Sequence, residues 1–187
     1  NIYPVDLSRF TPAPEPRPKN RPFTIVSTGG LSLRKGAPYL LEALRLVHQR
    51  HPSARFLLSR LIADSAAPIV AKYRDLPIDW APGLPHAQLA ARLQSADVFV
   101  LPSLEEGDPI VTYEAASFGL PVIASPQGAG RIGAESGAIL TFDTSDIVRL
   151  RQTIVDFAAS DDLRRDWGSR ALTASLRYGW SDVARRR

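Results

Sequence analysis

The chain has no cysteine and no methionine, and only three of its 23 cationic residues are lysine. Without cysteine, disulfide frameworks, thiolate metal sites and cysteine nucleophiles are excluded. The missing methionine, initiator included, leads us to expect a piece of a longer protein. No run of about 18 or more apolar residues occurs, so no membrane-spanning helix is expected. No charged-then-apolar leader of the secretory type is seen, which makes the cytoplasm the expected compartment.

What is there is an ordinary globular composition. Hydrophobic residues make up 44% of the 187 positions, enough to bury a core, so disorder is excluded. The formal charge is +4 and the cations are almost all Arg, which with abundant Ala suggests a GC-rich bacterial coding sequence. Arg149, Arg151, Arg164, Arg165, Arg170 and Arg177 interleave with Asp156, Asp161, Asp162 and Asp166. That alternation reads as a solvated helix surface and argues against a nucleic-acid partner. Peripheral association with an anionic membrane surface, at its inner face, stays compatible with the basic balance.

Along the chain, residues 11–22 carry five prolines among polar residues and read as an extended linker. Short β-rich runs and helical patterns then alternate. Strands are expected at 23–28, 55–59, 78–80, 97–101, 121–124 and 138–142. Helices are expected at 37–50, 64–74, 85–94 and 109–118, with Gly119 as a C-terminal stop. Residues 125–137 read as a Gly-rich loop, and the remainder as helical. This alternation predicts an α/β fold, a Rossmann-like parallel sheet with helices on both faces. The expected layout is 1–22 as interdomain segment and linker, 23–160 as the Rossmann-like unit, and 161–187 as a helical tail.

In such sheets ligands sit beyond the carboxyl ends of the strands, so the loops there hold the candidates. Between the first strand and first helix runs Gly29-Gly30-Leu31-Ser32-Leu33-Arg34-Lys35-Gly36. Glycines allow close backbone approach, a helix start offers free N–H groups, and Arg34 and Lys35 bring positive charge, a combination suited to phosphate. Taken alone, such a loop is more often a plain surface turn. After the fourth strand comes Glu106-Gly107-Asp108-Pro109-Ile110-Val111-Thr112-Tyr113-Glu114, with one glutamate in the loop and the other inside the next helix. A third loop, Trp80-Ala81-Pro82-Gly83-Leu84-Pro85-His86, follows the third strand. His86, at a helix start, and His48 and His51, around the end of an earlier one, read as ordinary residues.

The two glutamates seven residues apart resemble the Glu-x7-Glu motif of glycosyltransferase family four, the group-one glycosyltransferases. The flanks agree: Ala96-Asp97-Val98-Phe99-Val100-Leu101-Pro102-Ser103 before, Gly119-Leu120-Pro121-Val122-Ile123-Ala124-Ser125 after. Val5 to Phe10, Leu31 to Leu44 and Tyr178-Gly179-Trp180-Ser181 extend the likeness over most of the chain. The resemblance implies the C-terminal, donor-binding half of a GT-B enzyme whose N-terminal acceptor domain is its missing partner. It implies retaining, metal-independent transfer from a nucleoside-diphosphate sugar, with no cofactor besides that donor. Lys35 would neutralise the leaving diphosphate, Glu114 would hold the ribose hydroxyls, and Glu106 would face the donor sugar. Gly29, Gly30, Arg34, Gly83, Gly107, Asp108, Pro109 and Ile110 would complete the donor site.

Two departures stand out. The family's Arg after the first Gly is Gly30 here, and its Glu-Gly-Phe-Gly reads Glu106-Gly107-Asp108-Pro109. Pro109 has no N–H to offer, and Asp108 adds negative charge. These changes motivate an alternative, a non-catalytic nucleotide-binding or interaction domain derived from such an enzyme.

Overall fold

The computed structural model describes residues 4–12, 21–59, 61–81 and 86–185. Six parallel strands form one sheet: β1 (Thr24–Ser27), β2 (Arg55–Ser59), β3 (Ile78–Ala81), β4 (Val98–Leu101), β5 (Val122–Ala124) and β6 (Leu140–Thr141). Their order is β3-β2-β1-β4-β5-β6. The chain winds outward one way from β1 through β2 to β3, then restarts at β4 on β1's other side. At that switch the loops after β1 and β4 diverge and leave a crevice at the carboxyl edge.

The strands are apolar at nearly every position because both faces are covered. Ile25, Val98, Val100 and Ile123 pack with Leu40, Leu41 and Leu44 of α1 (Ala37–Arg50) and with Leu150, Ile154 and Phe157 of a later helix. Their neighbours Val26, Phe99, Leu101, Val122 and Ala124 point the opposite way. They meet the helices that follow β4 and β5. The two-residue period of a strand thus divides one sequence between two cores.

Local structure follows expectation in most places. The helix at 37–50 and the strand at 55–59 have the expected bounds. The helix expected at 64–74 is reduced to α2 (Ala67–Val70) and a 3-10 turn at Ala71–Tyr73. Pro68 has no N–H to bond back to the Asp64 carbonyl, so a helix cannot run through from 64 and begins only at Ala67, where Pro68 falls in the first turn. α3 (His86–Ser95) and α4 (Ile110–Ser117) lie within a residue of the expected limits.

The Gly-rich loop expected at 125–137 is a helix instead, α5 (Pro126–Ser136). The Ser125 side chain caps it by accepting from the Gly128 amide, Pro126 suits its first turn, and Ala129 and Ile132 are buried on either side of a break at Gly130 that divides it into two pieces. Its glycines serve a kink at Gly130 and close packing rather than a loop. α6 (Ile147–Ala159), α7 (Asp161–Ser175) and α8 (Trp180–Arg185) complete the chain. α7 packs on α4, while Val5 bridges Gly179, so the first described segment lies beside the last.

One glycine sets the distance between the first loop and the fourth strand's exit. Gly36 has φ 71°, and a Cβ there would lie 1.9 Å from the carbonyl oxygen of Pro102. Gly36→Ala is expected to lower stability by about 2–4 kcal/mol, since strain and a backbone clash coincide. Urea unfolding with a change below 0.5 kcal/mol would contradict this contact.

Candidate functional site

Lys35 stands at the end of the loop after β1, and its amide donates to Ser32 Oγ (3.1 Å). Its ammonium crosses to the loop after β4 and contacts Glu106 Oε1 at 2.7 Å. The same oxygen accepts from Ser103 Oγ at 2.8 Å. Arg34 lies alongside, donating to the Glu105 carbonyl (3.0 Å) and standing 3.9 Å from Glu106 Oε2. The Glu106 side chain is only 8% exposed, whereas Arg34 is 51% exposed. The Lys35 contact therefore dominates, and the long, exposed Arg34 contact contributes little.

Gly29 forms the floor between the two loops. A Cβ there would lie 3.8 Å from Lys35 Nζ and 3.9 Å from Val111 Cγ1, on the first turn of α4. Glu114 is three residues further along that helix, 5% exposed. Among the described residues no hydrogen bond or ion pair reaches its carboxylate. Burial alone pushes its pKa up to about 7. Holding a carboxylate with no partner for its charge in a largely dry position costs stability once it ionises, which marks a group kept for something other than folding.

The two departures have structural explanations. At Gly30 φ is 87°, and a Cβ would meet the Leu61 carbonyl oxygen at 3.0 Å. That carbonyl accepts from the Leu31 amide (2.7 Å), so a side chain at Gly30 would be strained by the positive φ and would press on a hydrogen-bonded carbonyl. Asp108 turns toward α5: its Oδ1 accepts from Tyr113 Oη (2.6 Å) and from the Arg131 amide just past the Gly130 kink (3.0 Å). Burial first, then this hydrogen bond, raise the Tyr113 pKa well above the usual phenol value. Asp108 Oδ2 is buried without a partner among the described residues.

Lys35, Arg34, Glu106 and Gly29 are thus gathered, with Glu114 one turn below Val111. A Cβ on Gly107 would meet no atom within 4 Å, and Ile110 is exposed at the start of α4. Pro109 is the residue before that helix and no side chain caps it; the Thr112 amide donates to the Pro109 carbonyl (3.0 Å), which leaves the Ile110 and Val111 amides for an anion. Gly83 lies outside the described residues. Ser103, Ser125 and Tyr113 carry contacts that motif spacing did not single out. The only clue to Ser103 was its place three residues before Glu106. A separate concavity of about 880 Å³, lined by residues such as Arg149, Gln152 and Trp167, contains none of these groups. Among the described residues no cluster of three or more His, Asp or Glu could hold a metal ion, and no helix is long and apolar enough to cross a membrane.

A 3-2-1-4-5-6 parallel sheet with charged loops at its switch point is a Rossmann-like fold, and it matches the fold of GT-B glycosyltransferase C-terminal domains. The family description "Glycosyl transferases group 1" matches residues 22–159, and the chain belongs to that family. It is 29% identical over 200 aligned positions to a D-inositol 3-phosphate glycosyltransferase of Arthrobacter sp. (strain FB24), covering 96% of this chain and 46% of that protein. It is 28% identical to a GDP-mannose-dependent monoacylated alpha-(1-6)-phosphatidylinositol monomannoside mannosyltransferase of Corynebacterium glutamicum, covering 95% and 51% respectively. The chain therefore spans about half the length of such relatives. Among solved structures it resembles the C-terminal domain of a glycosyl transferase group 1 family protein from Francisella tularensis. That match has TM-score 0.82 and 16% identity, and covers 94% of this chain and 99% of that one.

Glu114 makes stability depend on pH in a defined direction. Its folded pKa lies above the ordinary 4.5, so the cost of burying its charge is absent below about pH 4.5. The cost grows as pH rises and is complete above about pH 7, of order 3 kcal/mol. Glu114→Gln is expected to be more stable than the parent by about 2 kcal/mol at pH 8, with the difference vanishing or reversing near pH 4. Urea unfolding at both pH values measures it, and equal stability at pH 8 would contradict the buried-charge assignment.

Proposed function

We propose that this chain is the donor-binding half of a retaining, metal-independent glycosyltransferase that moves a sugar from a nucleoside-diphosphate sugar to a glycan, lipid or small-molecule acceptor. The observation carrying this reading is the Lys35–Glu106 pair bridging the loops after β1 and β4, beside the unpartnered Glu114. Cleaving a sugar–phosphate bond builds negative charge on the diphosphate, and a fixed cation in a partly dry site stabilises that charge best. Lys35 supplies it, with the uncapped start of α4 adding amide dipoles and Arg34 a second, more exposed charge. The two oxygens of Glu114 suit the paired hydroxyls of a ribose. Glu106, released from Lys35 as the ammonium turns to phosphate, faces the donor sugar and favours the positive character of an oxocarbenium-like transition state. Attack on the same face as the leaving group then retains configuration.

In this proposal residues 1–22 connect to an acceptor domain outside the chain, 23–160 bind the donor, and 161–187 form a helical tail. No cofactor beyond the donor is needed. On this proposal the enzyme is cytoplasmic and works at the inner membrane face, a reading supported by the phosphatidylinositol-linked compound in the name of one relative. The second reading, a nucleotide-binding domain without turnover, is favoured by Gly30, Asp108 and Pro109 standing in place of the family's residues. Full-length protein that binds nucleoside diphosphate yet consumes no donor would select it.

Lys35→Ala and Glu114→Ala are each expected to weaken binding of UDP or GDP to this domain at least tenfold, about 1.4 kcal/mol. Calorimetry showing unchanged affinity in both variants would refute the site.

A further inference from the structure

The reading above leaves a mechanical question at Glu106. In the resting structure Lys35 holds its carboxylate, yet the same ammonium is required by the diphosphate once a donor arrives. When Lys35 turns to phosphate, Glu106 loses its ion-pair partner just as its position starts to matter. Arg34 is a poor substitute, because it is half exposed, 3.9 Å away and committed to the Glu105 carbonyl.

Ser103 is the remaining fixed donor. It is fully buried directly after β4, and its Oγ donates to Glu106 Oε1 at 2.8 Å. Its own backbone is anchored from the far side. The Ser103 carbonyl accepts from Ser125 Oγ at 2.5 Å, and Ser125 Oγ accepts from the Gly128 amide at 2.9 Å. Ser125 is itself fully buried, and Thr112 Oγ1 donates to the Gly128 carbonyl at 2.7 Å, tying the starts of α4 and α5 together. The hydroxyl facing Glu106 therefore sits on a braced backbone, while Lys35 sits on a flexible four-carbon stem.

We propose that Ser103 is a positioning residue for the transfer reaction, holding Glu106 against the donor sugar after Lys35 has moved to the diphosphate, with Ser125 bracing it from α5. This inference rests on the transferase reading. It differs from a purely structural role in one respect. In the absence of donor Lys35 still holds Glu106, so losing the Ser103 hydroxyl leaves the resting fold nearly intact and is felt only during turnover.

The test uses the full-length chain with UDP-glucose and GDP-mannose as donors, following release of nucleoside diphosphate. Ser103→Ala should lower kcat about tenfold, with donor KM and the affinity for UDP or GDP within twofold of the parent and the melting temperature nearly unchanged. Ser103→Thr, which keeps the hydroxyl, should recover most of kcat. Where its extra methyl lowers the melting temperature, the Ala variant alone carries the comparison. An unchanged kcat in Ser103→Ala overturns the proposal, as does a fall in kcat matched by lost nucleotide affinity and a lowered melting temperature. Glu106→Gln separates the two levels of inference. If it retains full kcat, the role given to Glu106 fails; if it loses activity while Ser103→Ala does not, only the role of Ser103 fails. No turnover of either donor by the parent protein sinks both.

Discussion

The parallel pairing of β1 with β4 governs what this domain can do. Ile25 lies opposite Val98 and Val26 opposite Phe99, so two segments about seventy residues apart end side by side. Their following loops are then forced to part, one toward α1 and the other toward α4. The crevice between them is where Lys35 meets Glu106. A chain wound in one direction only would place those loops in a row, and no such meeting would follow. Asp97 reinforces the junction at the opposite end of the strands: it accepts from the Thr24 amide (2.8 Å) and pairs with Arg21 (2.5 Å).

Around that crevice the polar groups divide into two sets. Tyr113, Ser103, Ser125 and Oδ1 of Asp108 are spent on one another, on the Arg131 and Gly128 amides or on Glu106, and they stiffen the rim, while Asp108 Oδ2 has no partner among the described residues. Glu114 is left without a partner at a cost the fold must absorb elsewhere. Rigid support beside an unsatisfied acceptor is what a preorganised binding site requires, since ordering has been completed before a ligand arrives.

The departures at Gly30 and Asp108 belong to the same logic. Gly30 sits against the Leu61 carbonyl, where the chain after β2 runs parallel beside the chain after β1, and the positive φ there together with that contact disfavours a side chain. Asp108 fills the space beside the Gly130 kink and caps the second half of α5. Its charge is therefore engaged inside the rim, which softens the objection that a carboxylate at this position must repel phosphate. Pro109 still offers no amide, so on the proposed reading an anion bound here relies more heavily on Lys35.

Much of this was legible in the amino-acid order. Alternating apolar runs and amphipathic helices are local patterns, and they determined the α/β class, most strand and helix positions, and the loops where chemistry could sit. The spacing of Glu106 and Glu114 identified the family for the same reason: both lie on one loop–helix unit whose geometry is set locally. Where local signals misled, they did so through residues with two uses. Gly128, Gly130 and Gly133 read as a loop, yet they allow α5 to pack closely, and Pro68 shortened a helix its neighbours favoured. Only the tertiary structure decided which long-range partners the site residues take. Lys35 with Glu106, Ser125 with Ser103 and Asp108 with Arg131 are separated by 71, 22 and 23 positions. Such pairings depend on strand order and on the angle at which helices leave the sheet, and no window of sequence contains either.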